Sequence, residues 1–192
     1  MEDFPSKTDR LFKPDTTTSK GAWMNNPAGG WFLYIEGYRN AAEILFSKIE
    51  ENNSYKNTLV YPFVFNSRQT IELMLKELLT KGYKILGEQK EFKTNHFLKQ
   101  QWDHYKNEII PRTTKTTPHI YEGVDSIINE FDKIDAGSMN FRYPFSKDPG
   151  KPPSLNIRTL DLDNFKTIMD KLIVFLDGQW HILDQIENPE QA

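Results

Sequence analysis

The chain has 192 residues, which suits one ordinary domain around one sizeable core, and its 38% hydrophobic and 27% charged residues lie in the globular range. A net charge of −3, from 24 basic and 27 acidic residues, argues against a non-specific duplex-DNA binder while leaving room for a local nucleic-acid site. With no cysteine there is no disulfide, thiolate metal site or cysteine nucleophile.

The N-terminus, Met-Glu-Asp-Phe-Pro-Ser-Lys, lacks the basic start and apolar run of a secretory signal. No apolar stretch approaches the roughly 18 residues of a membrane span, so the expectation is a cytoplasmic protein without a membrane partner. Residues 1–28 read as an irregular arm carrying Pro5, Pro14, Pro27 and the polar run Thr16-Thr17-Thr18-Ser19. Residues 29–188 read as a single helical domain.

The first helix is predicted from about Trp31 to Glu51. Trp31, Ile35, Tyr38, Ala42, Leu45 and Ile49 recur on one stripe, and Glu36, Asn40, Glu43 and Ser47 fall opposite. A second helix is expected from near Thr58–Pro62 to about Thr80, with Pro62 in its first turn and Gly82 as its C-cap. It is apolar around most of its circumference, the mark of a helix central to its bundle.

Thr94 or Asn95 can cap a third, shorter helix with Leu98, Trp102, Tyr105 and Ile109 in line, closed by Pro111. The polar run Arg112 to Pro118 reads as a loop. A fourth helix places Ile120, Val124, Ile127, Ile128, Phe131 and Ile134 on one face. Residues 137–160, with four prolines and two glycines, form a long connection, and loops of that length tend to be functional or disordered. The last helix runs from near Asp161 to about Leu183. About five helices without period-2 strands predict an all-α antiparallel bundle.

Arg68 and Glu72 stand in the middle of the stripe formed by Tyr61, Val64, Phe65, Leu75 and Leu79. Charges on a buried face must be paired, and at i,i+4 these two can pair with each other. They are either a structural ion pair or part of an inward-facing site. Arg142, in Phe141-Arg142-Tyr143-Pro144, suits recognition of a phosphate or carboxylate, or else pins its loop to Glu72 or an acidic helix end. His96, at the start of the third helix, is either a general base or a capping and packing residue. No His-Glu-x-x-His, Walker phosphate loop or Gly-x-Ser-x-Gly is present, and His104, His119 and His181 show no metal-ligand spacing. Neither a metal nor a cofactor is expected.

The run Phe65-Asn66-Ser67-Arg68-Gln69-Thr70-Ile71-Glu72-Leu73-Met74-Leu75-Lys76-Glu77-Leu78-Leu79 resembles the central helix of bacterial HEPN-like (higher eukaryotes and prokaryotes nucleotide-binding) proteins. So do His96-Phe97-Leu98-Lys99-Gln100-Gln101-Trp102 and Phe141-Arg142-Tyr143-Pro144 ahead of an Asp-Leu-started last helix, in that order. The resemblance implies an antiparallel bundle, often a homodimer, from anti-phage and toxin–antitoxin systems, with RNA, an antitoxin or another protein as partner.

Many such proteins are metal-independent endoribonucleases in which an arginine and a histidine with four to six residues between them, contributed by both protomers, act on the scissile phosphate and the ribose 2′-hydroxyl. Only Arg112 and His119 meet that spacing here. The intervening Thr-Thr-Lys-Thr-Thr-Pro lacks helical character. The resemblance therefore leaves three options. Catalysis uses Arg112 and His119, or a site rebuilt from residues such as Arg68, His96 and Arg142 beside Glu72 and Tyr143, or the chain is a non-catalytic module binding a protein partner or nucleotide.

Overall fold

The apolar stripes become helices in the computed structural model, which describes residues 4–12, 21, 22, 24, 30–89, 95–114, 118–145 and 154–189, side chains at 118 and 120 excepted. The chain divides into two units, Met1–Gly30 and Trp31–Ala192. In the first, Ser6 N donates to Asp9 Oδ2 at 2.7 Å and closes a turn. The second is an all-α bundle, with every regular element among its described residues helical.

Helix α1, Phe32–Glu51, buries Ile35, Ala42, Phe46 and Ile49, while Trp31, Tyr38 and Leu45 pack against the same core from its margin. Asn52 ends it and caps a single 3-10 turn, Asn53–Tyr55, by accepting from Ser54 N at 3.0 Å. Helix α2, Lys56–Ile85, follows at once and lies against α1. So short a connection folds the two into an antiparallel hairpin.

Helix α2 is longer at both ends than the sequence suggested. Pro62 is inside it, not in its first turn. The carbonyl that Pro62 cannot serve belongs to Thr58, in a stretch where residues 51–58 are all exposed and water can satisfy it. Gly82 is not the C-cap but a buried helical residue. A Cβ built on it would sit 2.6 Å from Ile109 Cγ2, so the glycine lets the next rod approach α2 closely. The left-handed residue that ends α2 is Gly87, φ 68°. Its N–H bonds Lys84 O at 3.1 Å and that of Glu88 bonds Tyr83 O at 3.0 Å, the two bonds of a Schellman motif.

The third rod has three parts without a break: α3, Leu98–His104; a π-helical turn, Tyr105–Ile109; and α4, Ile110–Thr113. Pro111 was expected to close this rod, yet the helix continues to Thr113. The π turn widens the hydrogen-bond register just ahead of the residue that has no donor to give. Leu98, Trp102, Tyr105, Ile109 and Ile110 face the core. The expected loop over Arg112–Pro118 is shorter than drawn. Arg112 and Thr113 finish α4, Pro118 begins the next helix, and residues 115–117, like Thr94, lie outside the described residues.

Helix α5, Pro118–Asp135, buries Val124, Ile128 and Phe131. Asp161 caps α6, Leu162–Glu187, by accepting from Asn164 N at 3.0 Å. Met169, Leu172, Ile173, Leu176 and Leu183 are its buried face, and it runs one turn past the expected end. Helix α2 is central: α1, α3, the π turn and α6 all pack on it. Phe63, with no exposed surface, packs against Phe46 at a tilt and against Phe165 edge to face, with ring centres 5.4 Å apart in each case, and so joins α1, α2 and α6. Burial of a side chain of that kind contributes about 1.5–3 kcal/mol. No helix among the described residues is long and apolar enough to cross a membrane.

Candidate functional site

Two charged residues interrupt the apolar core of α2, and the fold builds a polar cluster around them. Arg68 and Glu72 have no exposed side-chain surface. Arg68 Nη1 donates to Glu72 Oε2 at 3.0 Å, and Lys76 Nζ, one turn further on, donates to Glu72 Oε1 at 2.7 Å. The remaining donors of Arg68 reach backbone. Nε bonds Asp135 O at 3.2 Å, and Nη2 bonds His96 O at 2.6 Å and Ala136 O at 3.1 Å. One guanidinium thus ties α2 to the entry of α3 and the exit of α5.

Asp135 completes the arrangement. Its Oδ1 accepts from Met139 N at 2.7 Å and Asn140 N at 2.9 Å, turning the chain sharply after α5, and its Oδ2 lies 3.9 Å from Arg68 Nε. Formal charges balance, Arg68 and Lys76 against Glu72 and Asp135. That balance is what lets four ionisable groups share a buried region.

His96 stands where this cluster meets the surface. Its Nδ1 is 2.9 Å from Glu72 Oε1, and 58% of its side chain remains exposed. An Nδ1–H donated to the carboxylate leaves Nε2 as the remaining acceptor of a ring that is more than half exposed. Burial opposes the charge on Glu72, but the bonds from Lys76 and His96 together with the Arg68 charge outweigh it and hold the carboxyl below its ordinary value. Glu72 is therefore a fixed anion that orients the imidazole. This is a carboxylate–histidine dyad able to accept or deliver a proton at its outer nitrogen.

Arg142 does not reach Glu72. It folds back over its own loop, Nε donating to Ser138 O at 2.6 Å and Nη2 to Met139 Sδ at 2.9 Å. Its guanidinium carbon lies 5.4 Å from the Phe65 ring centre and 5.8 Å from that of Tyr143. Ser138 takes a left-handed backbone, φ 58°, to let the loop double back. Phe65 is seven residues before Glu72 on one face of α2, so the points at which Arg142 and His96 contact that helix are roughly 10 Å apart along its axis.

Arg112 and His119 are placed differently. Arg112 Nη2 is held by Glu88 Oε1 at 2.7 Å on the surface. His119 is 87% exposed, with Glu122 Oε1 at 4.0 Å from Nδ1. The structure thus brings together Arg68, Glu72 and His96, and separately Arg142 and Tyr143. Among the described contacts, none joins Arg112 to His119.

Lys76 and Asp135 belong to the cluster and were not singled out from sequence. The signal for Lys76 was present: it follows Glu72 by four residues on a buried face. Among the described residues, no group of three or more acidic or histidine side chains is gathered to hold a metal ion. No family model, curated protein or solved structure matches the chain. What the fold and the site define is an all-α bundle with a buried Arg–Glu–Lys cluster and a histidine at its edge.

Proposed function

We propose that this chain is a HEPN-like protein acting on RNA as a metal-independent endoribonuclease, in an intracellular bacterial or phage-conflict system of the anti-phage or toxin–antitoxin kind. The observation that supports this is the position of His96, its ring largely at the surface and its Nδ1 2.9 Å from the buried Glu72 carboxylate.

In the proposed reaction Nε2 takes the proton of a ribose 2′-hydroxyl. The oxygen attacks the adjacent phosphorus, and the bond from phosphorus to the 5′-oxygen breaks. The leaving oxygen takes a proton from the imidazolium or from water, and the products are a 2′,3′-cyclic phosphate and a 5′-hydroxyl. The phosphorane needs a positive partner. Arg142 and His96 contact α2 at residues two turns apart, so a homodimer in which the second copy supplies an arginine beside His96 suits this reading.

A second reading is favoured by Arg68, whose Nε, Nη1 and Nη2 are all directed at the protein itself. On that view the chain is a non-catalytic HEPN-type module that binds an antitoxin, another protein partner or a nucleotide. Incubation of the purified protein with total RNA in EDTA separates the two. Fragments with cyclic-phosphate ends are expected, and intact RNA leaves the binding module.

A further inference from the structure

Helices α5 and α6 meet through rings. Tyr121 lies 6.0 Å from Phe175, and further along α5 Phe131 lies 6.1 Å edge to face from Phe165, which is further back along α6, so the two helices run antiparallel. Rings of that bulk keep the two backbones from close packing. Between the C-terminal half of α5 and the N-terminal half of α6 this leaves a crevice of about 150 Å³. Phe131 and Ile134 form one wall, and Phe165 and Ile168 form the other. Buried Val64 and Phe141 lie at the floor, and Leu160 of the segment before α6 adds to the lining.

The crevice has a mixed chemistry with a clear division. Ten of its twelve lining side chains are apolar, so water inside would find almost no partner. Protein interiors keep few spaces larger than a water molecule, yet this one reaches Val64 and Met169, which are 1% and 2% exposed. An apolar cavity of that size admits one benzene-sized ring, and the phenylalanines of the lining offer it ring edges and faces. The two polar residues, Glu130 and Asn164, are exposed and mark the mouth. Neither side chain has a partner among the described contacts, and no basic side chain lines the crevice. A carboxylate beside an apolar cleft favours a cation and repels an anion.

We infer that this crevice binds a small arylalkylammonium ion, with one six-membered ring seated between α5 and α6 and one positive charge at the mouth. Glu130 pairs with the ammonium, and the Asn164 side-chain oxygen accepts a further N–H bond. The charge keeps water on its outer side, so the ring is buried without stripping the ammonium of its hydration. A ring bearing a carboxylate would set that group against Glu130 and is disfavoured. The inference does not depend on the reaction proposed at His96.

Nuclear magnetic resonance of the full chain, labelled at its isoleucine methyl groups, reads place and affinity together. At neutral pH, benzylamine in the millimolar range is expected to shift the methyls of Ile134 and Ile168 and to leave those of Ile35 and Ile49 on α1 unmoved. Benzyl alcohol, of the same shape without the charge, should bind about 3- to 5-fold more weakly, the value of one partly exposed ion pair. Benzoate should bind more weakly still. Glu130→Gln alters an exposed position, so the melting temperature should hold, and it should bring the amine and the alcohol to equal affinity. Ile168→Trp places an indole in the crevice and should abolish the response of Ile134 to all three ligands. If that variant melts early, Glu130→Gln still decides the matter. The inference is overturned if benzylamine moves neither methyl at millimolar concentration, if benzyl alcohol or benzoate binds as tightly as benzylamine, or if Glu130→Gln keeps the wild-type preference for the amine.

Discussion

Arg68 and Glu72 meet at 3.0 Å with no exposure of either side chain, and the arginine spends its other donors on three backbone carbonyls from distant parts of the chain. Either residue alone would be a buried charge without its main partner. Arg68→Met and Glu72→Leu are each expected to cost about 3–5 kcal/mol of stability. The double variant should cost clearly less than their sum, because it removes both charges and leaves Lys76 able to extend to solvent. Urea unfolding of all four proteins measures the coupling, and strictly additive costs would show that the pair is not energetically joined.

Acid should probe the same carboxylate. Glu72 is held below its ordinary value of 4.5, so the unfolded chain takes up its proton first as pH falls. Its contribution to stability is complete above 4.5 and is lost as pH drops through the lowered folded value. The stability difference between wild type and Glu72→Gln is thus expected to be largest near pH 6 and to shrink towards about pH 3. Stability measured across that interval in both proteins checks the sign; a difference that grows on acidification contradicts it.

Gly82 gives a packing test. The clash of an added Cβ with Ile109 Cγ2, at 2.6 Å, is expected to cost about 1–3 kcal/mol. The helix preference for alanine over glycine returns about 1 kcal/mol, so Gly82→Ala should be neutral to moderately destabilising. In an Ile109→Ala background the obstacle is gone, and the same substitution should become stabilising by about 1 kcal/mol. Thermal denaturation of the pair of backgrounds reads the reversal.

The misplaced boundaries share a cause with that glycine. The apolar stripes of α1, α5 and α6 could be read from spacing because each buries one face against a single core. Pro62, Gly82 and Pro111 carry local meanings, start, stop and stop, and in each case the surroundings overrode them. An exposed first turn tolerates Pro62, the close rod requires Gly82, and the π turn absorbs Pro111.

At the site, the Arg68–Glu72 pair was legible because charges inside an apolar stripe need a partner. The contact between His96 and Glu72 was not, since it joins residues 24 apart through the way α3 enters against α2. The stacking of Arg142 on Phe65 is likewise set by a loop whose path, fixed by Asp135 and Ser138, has no periodic signature.

The reaction itself is tested at His96. Its imidazole is largely exposed, and Glu72 keeps bonds from Arg68 and Lys76 when the ring is removed. His96→Ala should therefore change stability by no more than about 1 kcal/mol. If Nε2 is the general base, the same variant should lower the rate of RNA cleavage about 10²-fold or more. His119→Ala and Arg112→Ala decide between locations. Should either of them abolish cleavage while His96→Ala retains it, the catalytic groups lie at the junction of α4 and α5, and the dyad with Glu72 is a structural link between α2 and α3.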